Sequence, residues 1–167
     1  MDITQLILDD HAEQRRLFSI IEQIDPKDVD ALSAVWLRLS AFLDVHAEAE
    51  ERFFYPDLIK LGEGANDADD GTVEGETEDA IEDHNKLRDA VKAVERHPVG
   101  SPDWFAAVGR ANVVNSKHMG EEERQGLTDF RLNADLDLRH DLAVRFAAFE
   151  AEPVSYTHLT LPTILRV

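Results

Sequence analysis

The 167-residue chain is 43% apolar and 31% charged, enough to bury one ordinary core and too apolar for a disordered polymer. Its formal charge of −18 disfavours nucleic acid and anionic membrane surfaces as partners, and the lack of cysteine excludes disulfides, thiolate metal sites and cysteine nucleophiles. No run approaches the ~20 apolar residues of a membrane span, and Met1-Asp2-Ile3-Thr4 lacks the start of a secretory signal, so a cytoplasmic location is expected.

Helical signals dominate, and an all-α fold is expected. Asp2 is a good N-cap for a first helix, with Gln5 three residues on, and Ile3, Leu6, Ile7, Leu17, Phe18, Ile21 and Ile24 mark one buried face. Asp25-Pro26 stops that helix and starts the next, with proline at the first helical position. The second stripe runs Leu32, Val35, Trp36, Leu39, Phe42 and Leu43 towards Phe53 and Phe54, and Pro56 marks its weakening or end. Gly62 to Gly75 reads as an acidic connector; an EF-hand loop fails there, because Gly71 falls one place too early after Asp67.

A third helix is expected from about Thr77 to Arg96, with Ile81, Leu87, Val91 and Val94 inward, ended by His97-Pro98. Ser101-Pro102-Asp103 opens a fourth, and Asn133 is read as the cap of a short fifth through Leu136, Leu142, Val144, Phe146 and Phe149. These elements define a domain over residues 1–152. The remaining 153–167 are Thr-rich and nearly uncharged, and read as a tail outside the core, either a frayed terminus or a cloning artefact.

The two halves of the chain repeat each other. Leu8-Asp9-Asp10-His11 has Arg15 four residues later, and Ile81-Glu82-Asp83-His84 has Arg88 four residues later. Thirty-five residues after His11 stands His46-Ala47-Glu48-Ala49-Glu50-Glu51-Arg52; thirty-four after His84 stands His118-Met119-Gly120-Glu121-Glu122-Glu123-Arg124. Residues four apart lie only ~40° apart on a helix, so His46 and Glu50 point one way, as do His118 and Glu122. All four histidines continue apolar stripes, which places them on faces that should be buried.

Burying two carboxylates and four imidazoles without partners would cost several kcal/mol per charged group. Two cations at the centre of a bundle would remove that cost, with the carboxylates bridging them. A lone His on an apolar face, or a lone His-x-x-x-Glu, is commonplace. Two matched copies, each preceded by a matched histidine, are not. Imidazole suits iron, zinc, copper and nickel, and a carboxylate-bridged pair favours iron or manganese over structural zinc.

The pattern His11, His46 to Glu50, His84, His118 to Glu122 resembles the hemerythrin family, in its HHE cation-binding branch, over about residues 1 to 130. The fifth helix is similar to that of actinobacterial, mycobacterial-type members. The resemblance implies an up-down-up-down four-helix bundle with a short C-terminal fifth helix. It also implies two iron ions, oxo- or hydroxo-bridged, ligated by His11, His46, Glu50, His84, His118 and Glu122.

Oxygen-carrying members have a second histidine one turn from the third-helix ligand. Here the flanking turns offer Ala80 and Arg88, which disfavours simple oxygen storage and points to an open coordination position or a substitute ligand. Tyr55 is a candidate substitute. An ideal helix sets it ~180° from His46, against ligation, although a distortion before Pro56 would swing it inward; a core tyrosine or a hydrogen-bond donor is the favoured reading.

Arg52, Arg124, Glu51 and Glu123 read as surface ion pairs more than as site residues, with support of the ligands from behind as the alternative, and Asp10 and Asp83 are ambiguous. His97 meets a helix dipole, His140 faces solvent, and His158 lies in the tail. The expected activity is decomposition of hydrogen peroxide, with a small molecule as partner. The alternatives are an oxygen, nitric oxide or iron binding or sensing module, and a metal-free helical interaction domain.

Overall fold

The computed structural model describes residues 1–64 and 72–152, and among them every regular element is helical. Helix α1 spans Ile3–Gln23, α2 Val29–Ala49, α3 Tyr55–Leu61, α4 Val73–Val94, α5 Pro102–Arg124, α6 Gly126–Asn133 and α7 Leu136–Glu150. A π-helical segment, Glu50–Phe54, joins α2 to α3 without a break in the helical path. The all-α class expected from the sequence is met among the described residues, and several boundaries move. The tail at 153–167, with His158, and the Asp67–Gly71 stretch of the connector lie outside the described residues.

Asp2 caps α1, its carboxylate accepting from the Thr4 backbone N–H at 2.9 Å. Gln5 does not close a capping box; its amide donates to Asp9 instead. Pro26 is not the first residue of α2 either. It sits in a turn closed by the Asp28 N–H donating to the Asp25 carbonyl at 2.8 Å, and Asp28 is the cap. Helix α4 starts at Val73, capped by Thr72, about a turn before the expected Thr77, so Gly75 is helical and not connector. Ser101 caps α5 as expected, accepting from the Trp104 N–H at 3.1 Å.

The predicted fourth helix is two, and the predicted fifth is α7. Helix α5 breaks at Gln125, α6 carries the chain to Asn133, and Asp135, not Asn133, caps α7. The Asn133 side chain donates back to Asp129 at 2.7 Å. Three expected core positions also face out: Ile81 is 37% exposed, Val144 49% and Leu136 68%.

Two apolar clusters bracket the middle of the molecule. One gathers Ile3 and Ile7 of α1 with Phe54, Leu58, Phe130, Leu142 and Phe146. The other gathers Leu17, Phe18 and Ile21 of α1 with Leu32, Trp36, Leu39, Leu87, Trp104 and Val108, and holds Trp36 and Trp104 edge to face at 6.0 Å. Helices α1 and α2 pack together, α4 packs on α5, and α7 lies against α1, α2 and the π segment. The polar residues of the sequence repeat fall between the two clusters.

Phe54 ties the π segment to the first cluster, fully buried and edge to face with Phe130 at 5.2 Å. Phe54→Ala should lower the unfolding free energy by about 3–5 kcal/mol in urea titrations of metal-free protein. A loss below about 1 kcal/mol would mean that the cluster refills the space.

Candidate metal centre

Each functional side chain follows from where a helix turns it. His11 lies on α1 between Ile7 and Gln14, both buried, and His46 and Glu50 are one turn apart at the end of α2. His84 lies on α4, and His118 and Glu122 one turn apart on α5. The structure brings all six together. Every one is buried, Glu50 completely.

Glu50 organises the group. Its Oε1 lies 2.9 Å from Nε2 of His46 and 3.8 Å from Nε2 of His11, whereas its Oε2 lies 3.1 Å from Nε2 of His84 and 3.8 Å from Nε2 of His118. One carboxylate thus serves two histidine pairs, one oxygen to each. His11, His46 and Glu50 form one compact set of donor atoms, and Glu50, His84 and His118 another, each within 4.8 Å. Glu122 reaches the first set, its Oε2 3.3 Å from Nε2 of His11.

The donor chemistry fits a cation. Nε2 of His11 and of His46 and all four carboxylate oxygens of Glu50 and Glu122 are buried without a hydrogen bond. The Nε2 atoms of His84 and His118 converge at 3.0 Å. Such a collection of orphaned donors is costly in a dry interior unless positive charge sits among them. In the metal-free molecule protons supply that charge. Burial opposes charge on His11, but Glu122, Glu123 and Glu50 outweigh it and push the imidazole up to about 10. Burial likewise opposes charge on His84, and Glu50 and Glu51 raise it to about 9. His46 is held well above its ordinary value against burial by Glu50, Asp10 and Glu150. Burial would raise Glu50, yet His46, His11 and His118 hold it well below the usual carboxylate range.

The outward ring nitrogens meet carboxylates that the sequence favours as surface ion pairs. Nδ1 of His11 lies 3.0 Å from Glu123, which also accepts from Arg15 at 2.7 Å. Nδ1 of His84 lies 2.9 Å from Glu51, which accepts from Arg88 at 3.0 Å. Glu51 and Glu123 are therefore not mere surface ion pairs. A carboxylate only accepts, so each keeps the ring hydrogen on Nδ1 and leaves Nε2 facing the centre. Asp10 stands 3.3 Å from Nδ1 of His46, while Asp83 turns away to Lys86 and Lys117. Arg52 stays on the surface with Glu48, and His140 is exposed beside Met1. Glu150, 3.7 Å from Nδ1 of His46, carried no signal in the sequence.

The profile of the Hemerythrin HHE cation binding domain matches residues 2–128. The chain belongs to the hemerythrin family. No curated protein and no solved structure matches it.

In this hemerythrin chain Tyr55 is part of the centre's wall. The wide turn of the π segment resets the helical phase, and Tyr55 ends 2% exposed with its hydroxyl 3.4 Å from Nε2 of His84. Pro56 lacks the N–H that the Arg52 carbonyl would accept in a regular α-helix, which favours the distortion here. Burial, then the negative charge of Glu122 and Glu50, keeps the phenol well above its ordinary value. A cavity of about 300 Å³ reaches Tyr55, Ala80, His118 and Glu122 from between α4 and α5.

The raised histidines set a pH dependence. Their folded values, about 10 and about 9, lie above the ordinary 6.5, so their contribution to stability is complete below 6.5 and is lost as pH rises through 9 to 10. Metal-free protein should melt at progressively lower temperature between pH 7 and 10, and metal-loaded protein should not, because a bound cation replaces those protons. Equal slopes for the two forms, followed by circular dichroism, would contradict the assignment.

Proposed function

We propose that the chain is a non-haem di-iron protein that binds and reacts with small oxygen species, with decomposition of hydrogen peroxide as its activity. The observation that carries the reading is the Glu50 carboxylate, shared between two pairs of buried imidazoles. Cation binding belongs to the family; iron as the metal, two ions per chain, and the ligand set His11, His46, Glu50, His84, His118 and Glu122 are our assignment. The up-down-up-down arrangement is supported by the two clusters: the start of α1 packs with the residues that follow α2, and its end packs with the start of α2. Among the described residues no helix is long and apolar enough to cross a membrane.

Bound iron would supply Lewis acidity and a reversible change of oxidation state, which disproportionation of peroxide to water and oxygen requires. The chain's own residues do the rest. Glu123 and Glu51 fix the His11 and His84 rings with Nε2 inward. Tyr55 keeps its proton at the end of the cavity and can donate it to a small molecule arriving there. Ala80, in the turn before His84, leaves room where a larger side chain would fill the cavity. The resemblance read from the sequence to mycobacterial-type hemerythrin-like proteins, for which catalase-like activity is implied, favours peroxide over oxygen or nitric oxide. The position of Tyr55 supports a hydrogen-bonding role or direct ligation of the metal beside His84.

Iron-loaded protein should contain two iron ions per chain and evolve oxygen from hydrogen peroxide. His118→Ala should abolish that activity at equal protein concentration, and an unchanged rate would refute the assignment. Stable spectral changes with oxygen or nitric oxide, without turnover of peroxide, would replace it with a binding or sensing role. In Tyr55→Phe, loss of a visible charge-transfer band marks ligation, whereas a slower rate with an unchanged spectrum marks proton donation.

A further inference from the structure

We propose that α7 completes the metal centre by placing Glu150, together with Asp10, on the outer nitrogen of His46, which makes Glu150 a positioning residue for that ligand. The inference rests on the di-iron reading and extends it to a helix outside the family-matched segment 2–128.

His46 turns Nε2 to Glu50 at 2.9 Å and Nδ1 to the opposite side. There it meets Asp10 Oδ2 at 3.3 Å and Glu150 Oε1 at 3.7 Å, and the three groups lie within 4.8 Å of one another. Nδ1 of His46 and those two carboxylate oxygens are buried without a hydrogen bond. Two carboxylates crowded together in a dry pocket repel each other, and the hydrogen on Nδ1 is what lies between them. A third cation there is the poorer account, since a neutral imidazole ligating through Nε2 keeps its hydrogen on Nδ1 and has no lone pair to offer. A metal on Nε2 makes that hydrogen more positive, so the two carboxylates facing it at 3.3 and 3.7 Å stabilise the metal-bound ring in its orientation through their charge.

Glu150 is held in place by more than this contact. Phe146, one turn earlier on α7, meets the His46 ring edge to face at 5.8 Å. Phe149 packs on Phe53 of the π segment at 5.6 Å, with Arg52 over the Phe149 ring and Arg145 over that of Phe53 at 4.8 and 5.1 Å. Arg139 pairs with Asp2 at 2.9 Å at the other end of the helix. The helix therefore docks at both ends, and its last residue arrives at His46, whose outer nitrogen, unlike those of His11 and His84, meets no arginine-anchored carboxylate.

Ferrous iron titrations of the full chain against a competing chelator test this, with melting of the metal-free forms alongside. Glu150→Ala should weaken one of the two iron equivalents about tenfold and leave the other unchanged. Glu150→Gln, whose carbonyl dipole can still face that hydrogen, should recover part of the loss. Two equally tight equivalents in wild type and Glu150→Ala would overturn the inference alone. Parallel loss of both equivalents and of metal-free stability in the Ala and Gln variants would also overturn it, by showing α7 to be packing only. Wild-type protein that takes up no iron would overturn the di-iron reading itself, and this inference with it.

Discussion

The Glu50 carboxylate has no exposure to water, and each of its oxygens faces a different pair of imidazoles. An isolated carboxylate in that position would cost more than a domain of this size can spare, so the surrounding positive charge is a condition of folding as much as of function. Everything nearby follows from meeting that condition. The two apolar clusters exclude water from either end, and the outer carboxylates turn the rings inward. What remains is a compact set of donors whose lone pairs converge where protons stand in the metal-free chain and cations would stand in the loaded one.

How much of this was legible depended on whether it was local. The His-x-x-x-Glu spacing is a statement about one helix, and helical geometry alone aims both residues the same way. The matched His11 and His84 could be placed because each continues an apolar stripe. Glu51 and Glu123 read locally as surface pairs first and as supports of the ligands second, because their role depends on which helix lies across from them. Glu123 on α5 meets His11 on α1, and Glu51 after α2 meets His84 on α4. A signal did exist: Arg15 and Arg88 repeat in step with Glu51 and Glu123, and each arginine binds the glutamate of the opposite half.

Other features left no such trace. A π turn is not encoded by periodicity, and Pro56 shows only that the ladder must be irregular somewhere before it. The break at Gln125 has no proline, and the eight helical residues after it are too few for a stripe to separate from the flanking helices. Leu136 and Val144 look inward by composition and face solvent, because α7 turns His46-facing Phe146 and Arg139 into the bundle instead. Glu150 lacks any spacing relation to the repeat, and only the docking of α7 gives it a partner.

The repeat is symmetric in sequence and the molecule is not. Around His46, Phe42, Phe146, Asp10 and Glu150 close the wall. Around His118 a cavity remains, bounded by Ala80 on α4 and Tyr55 on α3. The difference comes from two local events, the π segment that brings Tyr55 inward and the added helix that covers the opposite face. Any small molecule coming by the cavity therefore meets a protonated phenol, Glu122 and His118 before it can approach His46. Two halves built on one pattern are in this way given different surroundings, one sealed and carboxylate-lined on its outer side, the other open and furnished with a protonated phenol. A pair of identical ligand sets could bind metal equally well; under the proposed di-iron reading, unequal access would let one member of the pair receive a ligand while the other holds the assembly in place.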